Sequence, residues 1–282
     1  MSTGRKILQA LAGLILAGAD ALAAGTWVFP QERDLIASFA GLRLSVSGLG
    51  AGLSLLTVLA FADGWIGARN RKDPGGRGAG RVGNGIGFGL LPGILVWKIF
   101  ERHTLLGRGT PAAAEFGGEG WLISGGAWLP GRIEIMTAGI LFAAVILWLA
   151  LRKEELPDNG DLAGVCVGIW CGARMVTESF RAEQIVPAGG TRIIGWLAAA
   201  VMAVILFRWI LRAFRQKRNT GYALACVPVF AISVAGIVLI QNGIIGTGIP
   251  AADLAGQICC ALMAVKALIC MGRVTRAAGP AR

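Results

Sequence analysis

Apolar residues gather into eight stretches along the chain, 7 to 29, 44 to 64, 84 to 100, 136 to 151, 162 to 178, 193 to 212, 222 to 242 and 253 to 272. Short segments rich in charge, proline and glycine separate them. A hydrocarbon core about 30 Å thick needs roughly 20 apolar residues in helical form, and most of the stretches approach that length. The stretches 84 to 100 and 136 to 151 are shorter and must cross upright or borrow flanking residues. The pattern predicts an all-α polytopic transmembrane helical bundle of about eight spans. Arg5-Lys6, the apolar run behind them and Ala21-Leu22-Ala23 imitate a secretory signal peptide. Asp20 interrupts that imitation and the apolar run continues to Phe29, so the stretch reads as an uncleaved first span.

Composition supports the same class. The chain is 55% hydrophobic and 15% charged, against about 25% charged in soluble domains. A net charge of +11 would suit nucleic acid, but its distribution suits a membrane and leaves no nucleic-acid partner. Arg5, Lys6, Arg69, Arg71, Lys72, Arg77, Arg81, Arg152, Lys153, Arg215, Lys217, Arg218, Arg273, Arg276 and Arg282 fall on one side of the eight spans, and Arg33, Arg43, Arg102, Arg108, Arg132 and Arg181 on the other. The richer side is the cytoplasmic one, which places both termini there. The six cysteines all lie in apolar stretches, read as small core residues, and have no metal-ligand spacing. A single Tyr and a single His leave little conventional acid-base chemistry. His103, beside Arg102, reads as a solvated loop residue. Lys266 reads as a snorkelling lysine.

The candidate chemistry centres on residues 162 to 181, which begin as an apolar span and end with Arg174, Glu178 and Arg181. The spacing i, i+4, i+7 puts the three charges within an arc of about 60° on one helix face. Charges at membrane depth need partners or a wet cavity. Glu178 neutralises one guanidinium and leaves one over, and guanidinium forks suit phosphate oxygens. Glu134 opens an otherwise apolar span and calls for a cationic partner. The run from Gly75 to Gly89 combines basic residues with many glycines, each costing about 1 kcal/mol in a helix, which predicts a broken or re-entrant helix around Arg81 and Asn84. The Gly and Ser residues from Ser45 to Gly52 predict close helix packing.

Three stretches, in order, resemble prolipoprotein diacylglyceryl transferase, a bacterial inner-membrane enzyme. Gly78-Ala-Gly-Arg-Val-Gly-Asn84 is similar to the family's Gly-x-Gly-Arg-x-Gly-Asn signature. Arg132-Ile-Glu134 resembles its Gln-Leu-Tyr-Glu helix start, and Gly172 to Arg181 its Gly-x-x-Arg-x-x-x-Glu-Phe-Phe-Arg ending. The resemblance covers roughly residues 44 to 215. It implies an outward-facing site in which Glu134, Glu178 and Arg174 are catalytic and Arg81, Asn84, Arg174 and Arg181 hold phosphatidylglycerol. It also implies lipoprotein precursor signal peptides as partners, no cofactor or metal, and a place in the bacterial cytoplasmic (inner) membrane. The chain then divides into an N-terminal span with its external loop (1–43), a transferase-like core (44–218) and two additional spans (219–282). The chain departs from the family at the essential His-Gly-Gly, which falls on Ser47-Gly48-Leu49. The signature's second Asn and its Glu fall on Gly87 and Gly89. An accessory protein that binds phosphatidylglycerol without turnover is the alternative these departures leave open; a transporter is a weaker third.

Overall fold

The computed structural model describes residues 3–28, 35–72, 78–101, 123–124, 127–128, 130–151, 160–178, 193–215 and 220–276. Arg181 and His103 lie outside the described residues. All eight apolar stretches are helical: α1 (Thr3–Ala23), continued by a π-helical turn (Ala24–Val28), α2 (Val46–Lys72), α3 (Ala79–Glu101), α4 (Pro130–Leu151), α5 (Asp161–Thr177), α6 (Ile193–Arg215), α7 (Thr220–Gln241) and α8 (Pro250–Arg276). Six of them, α1, α2, α3, α6, α7 and α8, are long and apolar enough to cross a membrane. Their apolar side chains point outward, with Ile15 71%, Val204 68% and Leu262 63% exposed. Ser47, Asn84, Glu134 and Glu178 are buried instead. Apolar outside and polar inside is the arrangement lipid solvates and water does not.

The chain forms two compact units, and the division runs within α5. Unit 1 comprises residues 1–109 and 129–163; unit 2 comprises 110–128 and 164–282.

Unit 1 is built on α2 and α3, with α1 packed on α2 and α4 on α3. Backbones touch where α1 meets α2 and where α2 meets α3. A Cβ built on Gly89 would lie 2.5 Å from the Val58 carbonyl oxygen, and one on Gly52 would lie 2.4 Å from that of Ala17. This corrects the expectation of a broken helix after Gly75: α3 runs without interruption from Ala79. Each glycine weakens an isolated helix, but here the missing side chains admit a neighbouring backbone, and the packing gained outweighs the intrinsic cost. The part of the glycine run at 73–77 lies outside the described residues.

A β-hairpin stands where an external loop was expected. β1 (Leu35–Phe39) pairs antiparallel with β2 (Leu42–Ser45). Its turn holds Ala40 at φ 49° and Gly41 at φ 81°, the two positive φ values of the turn type that matches strand twist. The Arg43 amide donates to Thr26 Oγ1 at 2.8 Å, fastening the hairpin to the end of α1's π-helical turn.

Unit 2 contains the rest of α5 with α6, α7 and α8, and a short hairpin of β3 (Ile123–Ser124) and β4 (Ala127–Trp128). Its core sets large side chains, among them Met202, Trp209, Ile237, Leu268 and Met271, all 2% exposed or less, against buried alanines such as Ala213, Ala264 and Ala267. Arg212 and Arg215 in the last turn of α6 complement the negative end of its dipole.

Candidate functional site

Unit 1 carries polar groups at both ends of α3. In the first turns, Arg81 is buried and its Nη1 donates to Asn70 Oδ1 of α2 at 2.9 Å. One turn on, Asn84 Oδ1 accepts the Leu162 amide at 3.0 Å. That amide is one of the donors a helix start leaves unpaired, so Asn84 caps α5 from a neighbouring helix. Gly87 lets the two approach, because a Cβ there would lie 2.2 Å from Ala163 Cα.

At the other end of α3, Lys98 Nζ sits 2.7 Å from Glu134 Oε2 of α4 and also contacts Glu101 Oε2. All three side chains are at least 95% buried. Lys98 additionally lies over the Trp97 ring, 5.2 Å from its centroid, where the ring face attracts the ammonium. Lys98 is thus the cation that Glu134 requires. Neither Lys98 nor Glu101 was singled out from the sequence. The signal was present, since an i, i+3 lysine and glutamate close an otherwise apolar span, and the rule applied to Glu134 applies to them equally.

Arg81 and Lys98 are about 25 Å apart along the axis of α3 at ~1.5 Å per residue. The structure therefore brings Arg81 together with Asn84, and Glu134 together with Lys98 and Glu101, and sets these two groups at opposite ends of unit 1.

In unit 2, Arg174 Nη2 lies 2.8 Å from Glu178 Oε2, which is the i, i+4 pair read from the spacing. The Glu178 side chain is 2% exposed. Oε2 is close enough for an ion pair, yet among the described residues no donor meets it with hydrogen-bond geometry. Within that set the pair is held by charge.

Ser47-Gly48-Leu49 lies in the first turn of α2, where Ser47 is fully buried. A Cβ on Gly48 would fall 2.5 Å from the Ala21 carbonyl oxygen, so this stretch forms a helix contact and carries no acid-base group. Among the described residues, no three His, Cys, Asp or Glu side chains are grouped to hold a metal ion. Comparison of the chain with protein-family models, curated proteins and solved structures finds no match in any of the three.

Proposed function

We propose that this chain is a bacterial cytoplasmic-membrane protein with eight spans and both termini inside, and that it transfers the diacylglyceryl group of phosphatidylglycerol to the cysteine thiol of lipoprotein precursors. The observation that carries this is the buried Arg174–Glu178 pair, with one carboxylate oxygen accepting no hydrogen bond from the described residues. The reaction makes two demands. A thiol of ordinary pKa, about 8.5, must lose its proton, and the departing glycerol phosphate must meet positive charge in a poorly solvated site. Glu178 Oε2 takes the thiol proton. The thiolate sulfur attacks the terminal glyceryl carbon of the diacylglyceryl moiety, the carbon–oxygen bond to phosphate breaks, and the bond's electrons leave with glycerol-1-phosphate. Arg174 faces the phosphate oxygens as their charge rises, with Arg181 as the second guanidinium the sequence offers. No cofactor enters.

Binding of phosphatidylglycerol without turnover is favoured by one observation. Ser47 occupies the place of the family's His, so no imidazole stands there to take the thiol proton. Expression of the chain in cells depleted of their own transferase separates the two. Diacylglyceryl-modified precursor is expected with the natural chain, and its loss with Arg174→Ala and with Glu178→Gln. Phosphatidylglycerol binding that Arg174→Ala abolishes, with no glycerol phosphate released by the natural chain, would establish binding alone. Absence of both binding and modification at high expression would remove both roles.

A further inference from the structure

β1, the outer strand of the first hairpin, is apolar and exposed. Every residue of β1 is exposed, including Leu35 at 43%, Ile36 at 51% and Phe39 at 84%. The end of the preceding span adds Trp27 at 71% and Val28 at 65%. A soluble domain rarely leaves so much contiguous apolar surface uncovered. What covers it follows from where it sits. The first candidate span runs through Trp27 to Val28, and β2 passes directly into α2, the second candidate span, at Val46. Leu35 pairs with Ser45, one residue from that span. The hairpin is thus continuous with the lipid-facing surface of two helices, and it cannot stand far from the bilayer boundary.

We infer that the hairpin is a phospholipid-binding platform at the membrane–water interface, where the apolar side chains on both faces of β1, Leu35, Ile36 and Phe39, meet the glyceryl esters and upper acyl segments of the surrounding lipid. Two opposing requirements fix its depth. The exposed apolar side chains favour lipid over water at roughly 25 cal/mol per Å² buried. Among the described residues the sheet has two strands, and β2 is fastened to the end of the first span through Arg43 and Thr26, so the outer edge of β1 is the one that presents backbone N–H and C=O groups, which cannot enter hydrocarbon without losing partners worth several kcal/mol each. Headgroup depth satisfies both: water and lipid esters serve the backbone while the apolar side chains contact lipid. Trp27 at the end of its span has the character of an interfacial anchor.

The platform also has a defined neighbour within unit 1. Gly50, a turn into α2, lies against Phe100, where a Cβ would come within 2.7 Å. Phe100 is flanked on α3 by Lys98 and Glu101. The hairpin therefore belongs to the end of unit 1 that carries the buried Lys98–Glu101–Glu134 cluster, and lipid held on it is held at that end. This stands apart from the transferase reading and survives its failure.

The test is photolabelling of the full chain in vesicles of phosphatidylethanolamine and phosphatidylglycerol, doped with a phospholipid carrying a diazirine either near its ester or at the acyl terminus. The ester-proximal probe is expected to label residues 35–39, and the terminal probe to label α1 and α2 while sparing the hairpin. In the variant Ile36→Asp with Phe39→Asp, hairpin adducts should be lost while those on α1 and α2 remain. A hairpin left unlabelled by the ester-proximal probe, in a chain whose spans are labelled, would overturn the platform. So would hairpin cross-links to a second copy of the chain or to another protein in place of lipid.

Discussion

The two units solve the same packing problem with different materials. In unit 1 the added Cβ of Gly25, Gly48, Gly52, Gly87 or Gly89 would meet backbone at 2.2 to 2.5 Å. In unit 2 the corresponding contacts are with side-chain ends: Gly164 with Trp209 Cζ2 at 2.8 Å, Gly168 with Leu268 Cδ1 at 2.9 Å, and Gly172 with Val265 Cγ2 at 2.7 Å. Lipid tails are as apolar as leucine, so helices in a bilayer gain little from hiding apolar surface and must associate through close contact and polar bonds. Unit 1 obtains its contact by removing side chains, unit 2 by interlocking large ones. The difference teaches where each tolerates change, since a side-chain end can rotate away and a backbone cannot.

The sharpest way to break this comparison is to add one methyl group to each unit. Gly87→Ala and Gly89→Ala are expected to destabilise the chain by at least about 3 kcal/mol, the upper end of overpacking costs, because the new atom meets main chain. Gly168→Ala and Gly172→Ala should cost less than about 1 kcal/mol, since alanine's better helix propensity offsets a small side-chain adjustment. Reversible unfolding in detergent micelles measures all four, and equal losses in both units would dissolve the distinction.

A second effect, of comparable size, probes the ions that close packing traps in unit 1. Lys98→Met leaves Glu101 and Glu134 without the ammonium they share, and removing one member of a buried ion pair costs about 3–5 kcal/mol. Adding Glu134→Leu to that variant should restore a substantial part of the loss in the same unfolding assay. If Lys98→Met unfolds like the natural chain, the cluster is not holding α3 to α4.

The smallest effect belongs to unit 2. Gln241 Nε2 donates to the Met175 carbonyl at 2.8 Å and to Gln257 Oε1 at 3.2 Å, joining α7 to α5 and α8. Gln241→Leu should cost about 0.6 kcal/mol and no more than about 1.7, the range of hydrogen bonds between helices in membranes. A larger loss would mean that unit 2 relies on polar bonds as well as on side-chain volume.

The eight helices were legible because each depends on a local property, an apolar run of nearly membrane length. The Arg174–Glu178 pair was legible for the same reason, as i, i+4 residues share a helix face wherever the helix goes. Glu134's need for a cation could be read, but Lys98 as the partner could not, because that choice depends on α3 and α4 lying side by side. The glycine run was misread as a break: helix propensity describes an isolated segment, and it takes no account of a neighbouring backbone at Val58 or Ala163 that only a glycine admits. The first hairpin escaped notice because Leu35 to Ser45 lacks strict alternation and its turn is Ala40-Gly41, a weaker signal than Asn-Gly. The bond from the Leu162 N–H to Asn84 Oδ1 had no signal in the sequence, because it joins residues far apart along the chain.

The length of α3 between its charged groups has a consequence for where those groups sit in a bilayer. About 25 Å separates Arg81 from Lys98 along an axis flanked by lipid-length helices, whereas an average hydrocarbon slab is about 30 Å thick. Both groups cannot be level with the headgroups of an undisturbed bilayer. Both side chains are buried and partnered among the helices of unit 1, so they stay sealed below the surface and place no demand on the thickness of the leaflets around them.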